Sequence, residues 1–178
     1  MMLEGKRVYL RPITLQDANE KYLSWLNDHE TSRYVESRFE KHSPESLRKF
    51  VAEQVVKRPA TFFAIILKEN EEHIGNIKIG KIHSVHKYAD VGILIGEKAY
   101  WGKGYAAEAI ELIVRYAFDN LGLNKLIAGA YSPNVGSVKA FEKAGFAIEG
   151  VRKKIFWDSN QYVDEILLGI NNPKTIFA

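Results

Sequence analysis

A glycine-rich stretch at residues 96–108 is the part of the sequence best suited to chemistry. It reads GEKAYWGKGYAAE, and Gly102 and Gly104 stand one residue apart at the start of a predicted helix. The first amides of a helix have no partner within the helix and lie at the positive end of its dipole. Glycine lets an anion approach the backbone closely, and Lys103 adds a positive charge. The pattern therefore predicts a site for an anion such as a pyrophosphate.

Other interpretations of this stretch are weighed against the anion site. A pair of glycines of this kind can simply be a turn that reverses the chain. GKGYAA also satisfies the dinucleotide motif G-x-G-x-x-A, which belongs to the first strand–helix turn of a parallel unit, with an acidic residue ending the next strand. Here the stretch lies in mid-chain after antiparallel strands, and the next strand ends in Tyr131-Ser132-Pro133, without an acidic residue. The dinucleotide interpretation therefore fails on both counts. A phosphate-loop NTPase is excluded because the sequence contains no G-x-x-x-x-G-K-[ST].

The surrounding sequence predicts the strands that would hold this stretch in place. Residues 6–13 alternate between apolar and polar side chains, as a strand with one buried face does. Six further strand-like runs lie at 61–68, 73–81, 87–96, 125–131, 146–156 and 162–170. Because the turn at 69–72 is short and polar, the strands on either side of it are predicted to be antiparallel neighbours.

Four helices are predicted between these strands. The first begins after Thr14, with Asp17 three residues further on in a capping-box arrangement, and the second begins at Ser43-Pro44. The third runs from about residue 104 to 121 and ends at Gly122, and the fourth covers 134–144. The order β-α-α-β-β-β-α-β-α-β-β predicts an α/β chain of the α+β type. Its sheet would be mixed, mostly antiparallel and seven-stranded, with helices on both faces.

Composition limits the class of protein. The 178 residues fit one domain over 1–178, and 46% hydrophobic with 26% charged residues is typical of a soluble globular chain. A net charge of +3 gives no signal for nucleic acid or for an anionic membrane. The sequence has no cysteine, which excludes disulfides and thiolate chemistry. With no secretory signal or long apolar run visible, we expect a cytoplasmic protein.

Two motifs in the right order resemble the GNAT acetyltransferase superfamily. Residues 101–106, WGKGYA, resemble its coenzyme A pyrophosphate loop Q/R-x-x-G-x-G/A, with Trp101 in place of the Gln or Arg. Residues 134–146, NVGSVKAFEKAGF, resemble its second motif, N-x-x-S/A followed by GF. The opening LEGKRVYLRPIT and the later EGVR at 149–152 resemble the RimJ/RimL branch, which acetylates the N-termini of ribosomal proteins. The resemblance covers nearly the whole chain.

The resemblance implies acetyl-CoA as co-substrate and assigns residues to it. Backbone amides of the loop would hold the pyrophosphate, namely those of Trp101, Gly102, Lys103, Gly104, Tyr105 and Ala106. Strand 90–96 would splay from strand 125–131, and the amide near Ile95 would polarise the thioester carbonyl. Asn134 would fix the pantetheine arm, Ser137 would lie near the sulfur, and Lys143 would approach the 3′-phosphate.

Proton transfer is the point at which the sequence departs from the family. Phe141 stands where many members carry a tyrosine that protonates the leaving thiolate. A free thiol has a pKa of about 8.5, so the thiolate is only roughly 1.5–2 kcal/mol uphill at neutral pH. Ser137 is the substitute candidate for the acid, with Tyr131 behind it. Asp90 and Glu149 are the carboxylates considered as bases.

The acceptor is predicted to be a primary amine, either a protein N-terminal α-amine or an amino sugar. Substrate-binding candidates lie in and after the first helix, where this family shapes its acceptor pocket, and they are Trp25, Tyr34, Arg38 and Phe39. Core packing is the alternative for Trp25, while Arg38 could grip an anionic acceptor group. The Trp101 and Phe141 departures motivate a different hypothesis, a non-catalytic CoA-binding regulatory module.

Metal and assembly are the remaining expectations. His83-x-x-His86 has no third ligand nearby in sequence, so no metal is predicted. The basic run at 152–154 is short enough to be a solvated strand face. Since dimers are common in the superfamily, a homodimer could form through the edge of the last strands.

Overall fold

The computed structural model describes residues 2–57 and 59–174, and one mixed sheet runs through them. The strands are β1 Leu3–Glu4, β2 Val8–Pro12, β3 Phe62–Leu67, β4 His73–Ile79, β5 Tyr88–Ile95, β6 Lys125–Tyr131, β7 Ala147–Asp158 and β8 Gln161–Asn171. The helices are α1 Glu20–Asn27, α2 His29–Ser32, α3 Pro44–Val55, α4 Tyr105–Asp119 and α5 Val135–Lys143. Short 3-10 helices occupy Leu15–Asp17, Glu36–Phe39 and Lys98–Tyr100.

The strand order is β1-β2-β3-β4-β5-β6-β8-β7, and every neighbouring pair is antiparallel except β5 with β6. This confirms the mixed, mostly antiparallel sheet. The predicted strand number is corrected from seven to eight, because the two-residue β1 pairs with β2. So short a strand carries no alternation that a sequence pattern could reveal.

Both faces of the sheet are covered by helices, as predicted. On one face α4 and α5 bury the larger core, which includes Phe63 and Ile65 of β3. On the other face α1 and α3 pack over a smaller core, which includes Phe62 and Ala64 of the same strand. Successive side chains of a strand point to opposite faces, so β3 belongs to both cores and is buried along its whole length.

The parallel pair β5–β6 separates partway along. Its registered partners are Tyr88 with Lys125, Ala89 with Leu126, and Asp90 with Ile127. Beyond Asp90, β5 stays paired with β4 through Ile95, while β6 stays paired with β8 through Tyr131. A gap therefore opens between the carboxyl ends of two central strands, as the family resemblance implied.

The region predicted as the first helix is built differently. Thr14 and Asp17 do form a capping interaction, in which the Thr14 amide donates to Asp17 Oδ2 at 2.7 Å, but only one 3-10 turn follows it. Asn19 then caps α1, because its side chain accepts from the Tyr22 amide at 3.0 Å. Two capping residues in succession thus split the predicted helix. The starts of α3 at Ser43-Pro44 and of α5 at Asn134 are as predicted.

Candidate active site

The glycine-rich loop ends at the amino terminus of α4. Gly104 is the residue before the helix and has a φ of +83°, and Gly102 has a φ of +70°, so both adopt the left-handed conformation that suits glycine. The Trp101 amide, also predicted to hold the pyrophosphate, instead donates to the Lys98 carbonyl at 3.1 Å. Within the described part of the chain, no protein oxygen accepts a hydrogen bond from the amides of residues 102–107. These amides lie before and in the first turn of a 15-residue helix, at the positive end of its dipole. The loop can therefore hold an anion through its backbone.

Arg7 holds this loop in place, and the sequence analysis did not identify it. Its guanidinium donates to the carbonyl of Lys103 at 2.9 Å and to Glu108 Oε2 at 2.9 Å, and it lies 4.4 Å from the centre of the Tyr105 ring. Burial alone would raise the pKa of Glu108, but hydrogen bonds from the amides of Arg7 and Val8 and from the guanidinium lower it. The loop is thus fixed to the start of β2 by an ionised pair.

A cavity of about 590 Å³ adjoins the loop, and its lining includes five basic and three acidic side chains. Its lining residues are Glu4, Gly5, Lys6, Arg7, Lys103, Gly104, Ala107, Glu108, Glu111, Arg115 and Lys143. A Cβ atom placed on Gly104 would lie 3.4 Å from Arg7 Nη2 and 3.6 Å from Lys143 Nζ, so two cations converge on this glycine. Lys143, predicted to approach the 3′-phosphate, lies beside the loop. Arg7 and Arg115 are additions that only the fold reveals.

The end of β5 presents its backbone to the gap. The Gly96 amide donates to the Ile74 carbonyl at 2.9 Å. Because hydrogen-bonding directions alternate along an antiparallel strand, the amide and carbonyl of Ile95 point away from β4 and toward the side that β6 has left. The Ile95 carbonyl accepts from Nε1 of Trp101 at 2.7 Å. The Ile95 amide is thus a donor directed toward the gap.

The second predicted motif lies at the carboxyl end of β6. The Asn134 amide donates to the Tyr131 carbonyl at 2.8 Å, and Asn134 Oδ1 accepts from the Ser137 amide at 3.2 Å. Asn134 and Ser137 are therefore neighbours at the start of α5. Phe141 is only 2% exposed and packs edge-on against Phe146, with ring centres 5.0 Å apart. Its ring belongs to the core beneath α4 and α5.

Tyr131 is engaged by a carboxylate that sequence reasoning missed. Its hydroxyl donates to Glu36 Oε1 at 2.6 Å, and its ring stacks on Phe156 with centres 4.1 Å apart. Burial first, and the Glu36 carboxylate second, raise the pKa of Tyr131 well above its usual range. A phenol held in this way is a poor proton source for a thiolate. Tyr34 packs on the same ring at 5.4 Å.

Arg38 and Phe39 lie at a second cavity, of about 430 Å³, between the α1–α2 region and the β7–β8 turn. Its lining residues are Leu26, Asn27, His29, Ser32, Arg38, Phe39, Glu40, Trp157, Asp158, Ser159 and Asn160. Arg38 donates to the Trp157 carbonyl and lies 3.6 Å from Asp158 Oδ1. Asp158, 2% exposed, also binds Arg33 at 3.0 Å. The hydrogen bond from Arg33 is the main reason that the pKa of Asp158 is lowered.

Two predicted residues lie elsewhere than expected. Trp25, predicted to bind substrate, is 3% exposed and does not line the second cavity, so core packing is the better description. Asp90, a candidate for catalysis, is the last residue of β5 that pairs with β6. It precedes Ile95 by five positions, about 16 Å of extended strand. The structure therefore does not bring Asp90 to the Ile95 amide.

Two other sequence features form local contacts. His83 stacks on His86 at 4.5 Å and on Tyr88 at 5.3 Å, and over residues 2–57 and 59–174 no group of three or more potential ligands could hold a metal ion. Glu149 pairs with Lys125.

Over residues 2–57 and 59–174, the helices are too short or too polar to cross a membrane.

Comparison with known proteins places this arrangement in a family. The acetyltransferase (GNAT) domain model matches residues 7–147. The probable N-acetyltransferase YjcK of Bacillus subtilis is 32% identical over 178 residues, covering 97% of this chain and 98% of the relative. The chain belongs to the GNAT acetyltransferase family, and it is an N-acetyltransferase.

Solved structures show the same fold. A GNAT-family acetyltransferase from Bacillus anthracis superposes with a TM-score of 0.82 at 25% identity, covering 98% of this chain and 100% of the other. A spermidine N-acetyltransferase from Vibrio cholerae, solved with CoA and spermine, gives a TM-score of 0.82 at 23% identity, covering 94% and 97%. The second likeness speaks for the fold alone.

Proposed function

We propose that this enzyme transfers the acetyl group of acetyl-CoA to a primary amine by direct attack on the thioester. The observation that carries the proposal is the row of free amides at residues 102–107, which lies beside a cation-lined cavity and follows the strand that borders the β5–β6 gap. Backbone donors suit a pyrophosphate, and a gap between strands suits an extended pantetheine arm. Lys143 and Arg7 supply charge for further phosphate.

The residues at the gap supply the elements of the transfer. The amine nitrogen forms a bond to the thioester carbon, the carbon–sulfur bond breaks, and the Ile95 amide stabilises charge on the carbonyl oxygen. The amine loses a proton and the thiolate gains one. We assign thiolate protonation to Ser137 or to water, because Phe141 has no proton to give and the Tyr131 hydroxyl is committed to Glu36.

For the acceptor, we propose a protein N-terminal α-amine first and an amino sugar second. The α-amine is favoured by the RimJ/RimL-like segments, and it also needs little help with deprotonation. With a pKa near 7.7–8.0 it is roughly a fifth to a third neutral at pH about 7.4, whereas a lysine amine is about a thousandth neutral. The second cavity, with Arg38 and Phe39, is the proposed acceptor site.

Thiol release from acetyl-CoA tests the proposal directly. Ellman's reagent is read across N-terminal peptides, amino-sugar nucleotides and polyamines, and the protein adds no background because it has no cysteine. Thiol release above the no-acceptor blank identifies the reaction. The amine that gives this release identifies the acceptor class. Bound acetyl-CoA without turnover on any amine would favour the CoA-binding regulatory module instead.

The Arg38→Ala variant then separates the two acceptor classes. If Arg38 contacts a phosphate-bearing sugar, the KM for that acceptor should rise while the affinity for acetyl-CoA is kept. An unchanged acceptor KM would reject an anionic acceptor group at this residue. We also propose that the chain forms a homodimer and is cytoplasmic. Sedimentation velocity of the purified chain tests the homodimer.

A further inference from the structure

Two tryptophans from different parts of the chain bracket the end of β5. Trp101, in the glycine-rich loop, donates from Nε1 to the Ile95 carbonyl at 2.7 Å. Trp25, on α1, donates from Nε1 to Glu97 Oε1 at 2.9 Å. Its ring also lies against Gly96, where an added Cβ would come within 2.0 Å of the indole. Segment 95–97 is therefore held at Ile95 by the indole of Trp101 and at Glu97 by the indole of Trp25.

The sheet itself leaves one side of this segment without a partner strand. The Gly96 amide is bound to β4, but Ile95 faces the gap, where β6 no longer pairs with β5. The indole N–H of Trp101 occupies the ladder position on Ile95 that a neighbouring strand would otherwise fill. A backbone donor that must stabilise a developing charge works only if its direction is fixed beforehand. By holding the Ile95 carbonyl, Trp101 restrains the residue whose amide is this donor.

Trp25 provides the second attachment. Its indole reaches from the helix on the acceptor side of the sheet, and Lys21 of the same helix lies 3.4 Å from Glu97. The ring packs edge-on against His73 at 5.0 Å, so its own position is set by the core beneath it. Trp25 thus links α1 to the strand end that borders the cofactor loop.

We propose that Trp101 and Trp25 are positioning residues for the Ile95 amide, and that the amide polarises the thioester carbonyl only while both indoles hold segment 95–97. This inference rests on the proposed acetyl-CoA chemistry. Trp101 stands where the family motif carries Gln or Arg, so the substitution gives this loop residue a task at the reacting carbonyl in addition to its place in the pyrophosphate loop.

The test uses Trp101→Phe, which removes the N–H donor and keeps an aromatic ring. Acetyl-CoA labelled with ¹³C at the thioester carbonyl is bound to the enzyme, and its carbonyl stretch is recorded by difference infrared spectroscopy. We expect the wild-type band below that of free acetyl-CoA, and the variant band shifted back toward it. With the acceptor found by thiol release, kcat should fall about tenfold, while the Kd for acetyl-CoA changes by less than about twofold.

Tyr116→Phe is the matched control. It also deletes one hydrogen bond from an aromatic side chain to a backbone carbonyl, that of Ala60 at 3.1 Å, but within the core. It should leave the carbonyl band and kcat as in wild type. Trp25→Phe, which loses the bond to Glu97, should lower kcat like Trp101→Phe, and the double variant should lose less than the product of the two effects because both act on one segment.

Three results would overturn the inference or its premise. A wild-type band and kcat in Trp101→Phe would remove the positioning role. A raised Kd with unchanged kcat would leave Trp101 as a pyrophosphate-loop residue only. If the wild-type enzyme binds no acetyl-CoA, the proposed function fails as well, which the binding measurement shows by itself. If Trp25→Phe does not fold, Trp101→Phe still tests the proposal. Trp101 is 39% exposed, so replacing it disturbs the core less.

Discussion

Gly104 combines a left-handed backbone with two nearby cations, and this makes it the sharpest single-residue test of the proposed cofactor site. We predict that Gly104→Val lowers CoA affinity at least tenfold. A Cβ there meets Arg7 and Lys143 at 3.4 and 3.6 Å, and the φ of +83° strains any larger residue. Isothermal titration calorimetry with CoA measures the loss.

Gly122 offers the matched control for Gly104. It has a φ of +62° just beyond the other end of α4, and an added Cβ would meet no atom within 4 Å. Gly122→Val should therefore impose a similar backbone strain and lower the thermal midpoint, yet bind CoA as wild type. Equal CoA affinity for both variants would mean that the pyrophosphate is held elsewhere.

Asp158 connects the proposed acceptor cavity to the β7–β8 turn, because it is buried between Arg33 and Arg38. We predict that Asp158→Asn costs about 1–3 kcal/mol of folding free energy, since two guanidiniums lose their shared carboxylate. The acceptor KM should rise severalfold, while the KM for acetyl-CoA holds. Denaturant unfolding and two-substrate kinetics measure the two effects.

Asp164→Asn is the comparison for Asp158, since Asp164 pairs at 2.9 Å with the exposed Lys153 on the same hairpin. Exposed pairs of this kind contribute little, so this variant should change both stability and the acceptor KM only slightly. A change in acceptor KM as large as that in Asp158→Asn would show that the hairpin as a whole, rather than the buried pair, shapes the cavity.

The connection between β2 and α1 depends on one buried carboxylate, that of Asp17. Burial alone would raise its pKa, but the Arg11 guanidinium, bound at 2.7 Å through each oxygen, and Thr14 hold the pKa of Asp17 below its usual value. A carboxyl group with a lowered folded-state pKa stabilises the fold above its unfolded value of about 3.9. That stability is lost as the pH falls through the folded-state pKa.

We therefore predict a pH-dependent difference between the wild type and Asp17→Asn. At pH 7 the variant should be less stable by about 2–4 kcal/mol, because Arg11 is left without its partner. Below about pH 4 the difference should shrink, since the wild type loses the same interaction on protonation. Urea unfolding between pH 3 and pH 7 measures it. A constant difference over that range would contradict the assignment to Asp17.

Whether an element could be predicted depended on how local its determinants are. Ser43-Pro44 marks a helix start through neighbouring atoms, so the start of α3 was predicted correctly. Gly122 is left-handed as predicted, but α4 ends at Asp119 with Asn120 as its C-cap, so its predicted end at residue 121 was too late. The glycine-rich loop before α4 was predicted in the same way, and its binding of a pyrophosphate stays a prediction. Arg7 was not, because its partner Glu108 is 101 residues away, and Glu36 was not, because its partner Tyr131 is 95 residues away. Such pairs exist only once the sheet has formed.

In the whole molecule, β3 ties the two helical layers together. Phe63 and Ile65 enter the core beneath α4, and Phe62 and Ala64 enter the core beneath α1 and α3. If either helical layer unfolds, one face of β3 becomes exposed, and β3 also forms part of the core under the other layer. Residues 1–178 should for this reason unfold as one cooperative unit, even though the proposed cofactor and acceptor sites are built from different layers.

Cofactor binding should consequently raise the stability of the whole chain. At a CoA concentration of 100 times Kd, the native state gains about 2.7 kcal/mol. For a domain of this size that is a shift of roughly 5–10 °C in the thermal midpoint. Far-UV circular dichroism, which follows both layers, and the fluorescence of the buried Trp25 in a variant with the other tryptophans replaced by Phe should report one and the same shift. If the fluorescence of Trp25 kept its original midpoint while the circular dichroism moved, the α1–α3 layer would unfold independently, and the coupling through β3 would be wrong.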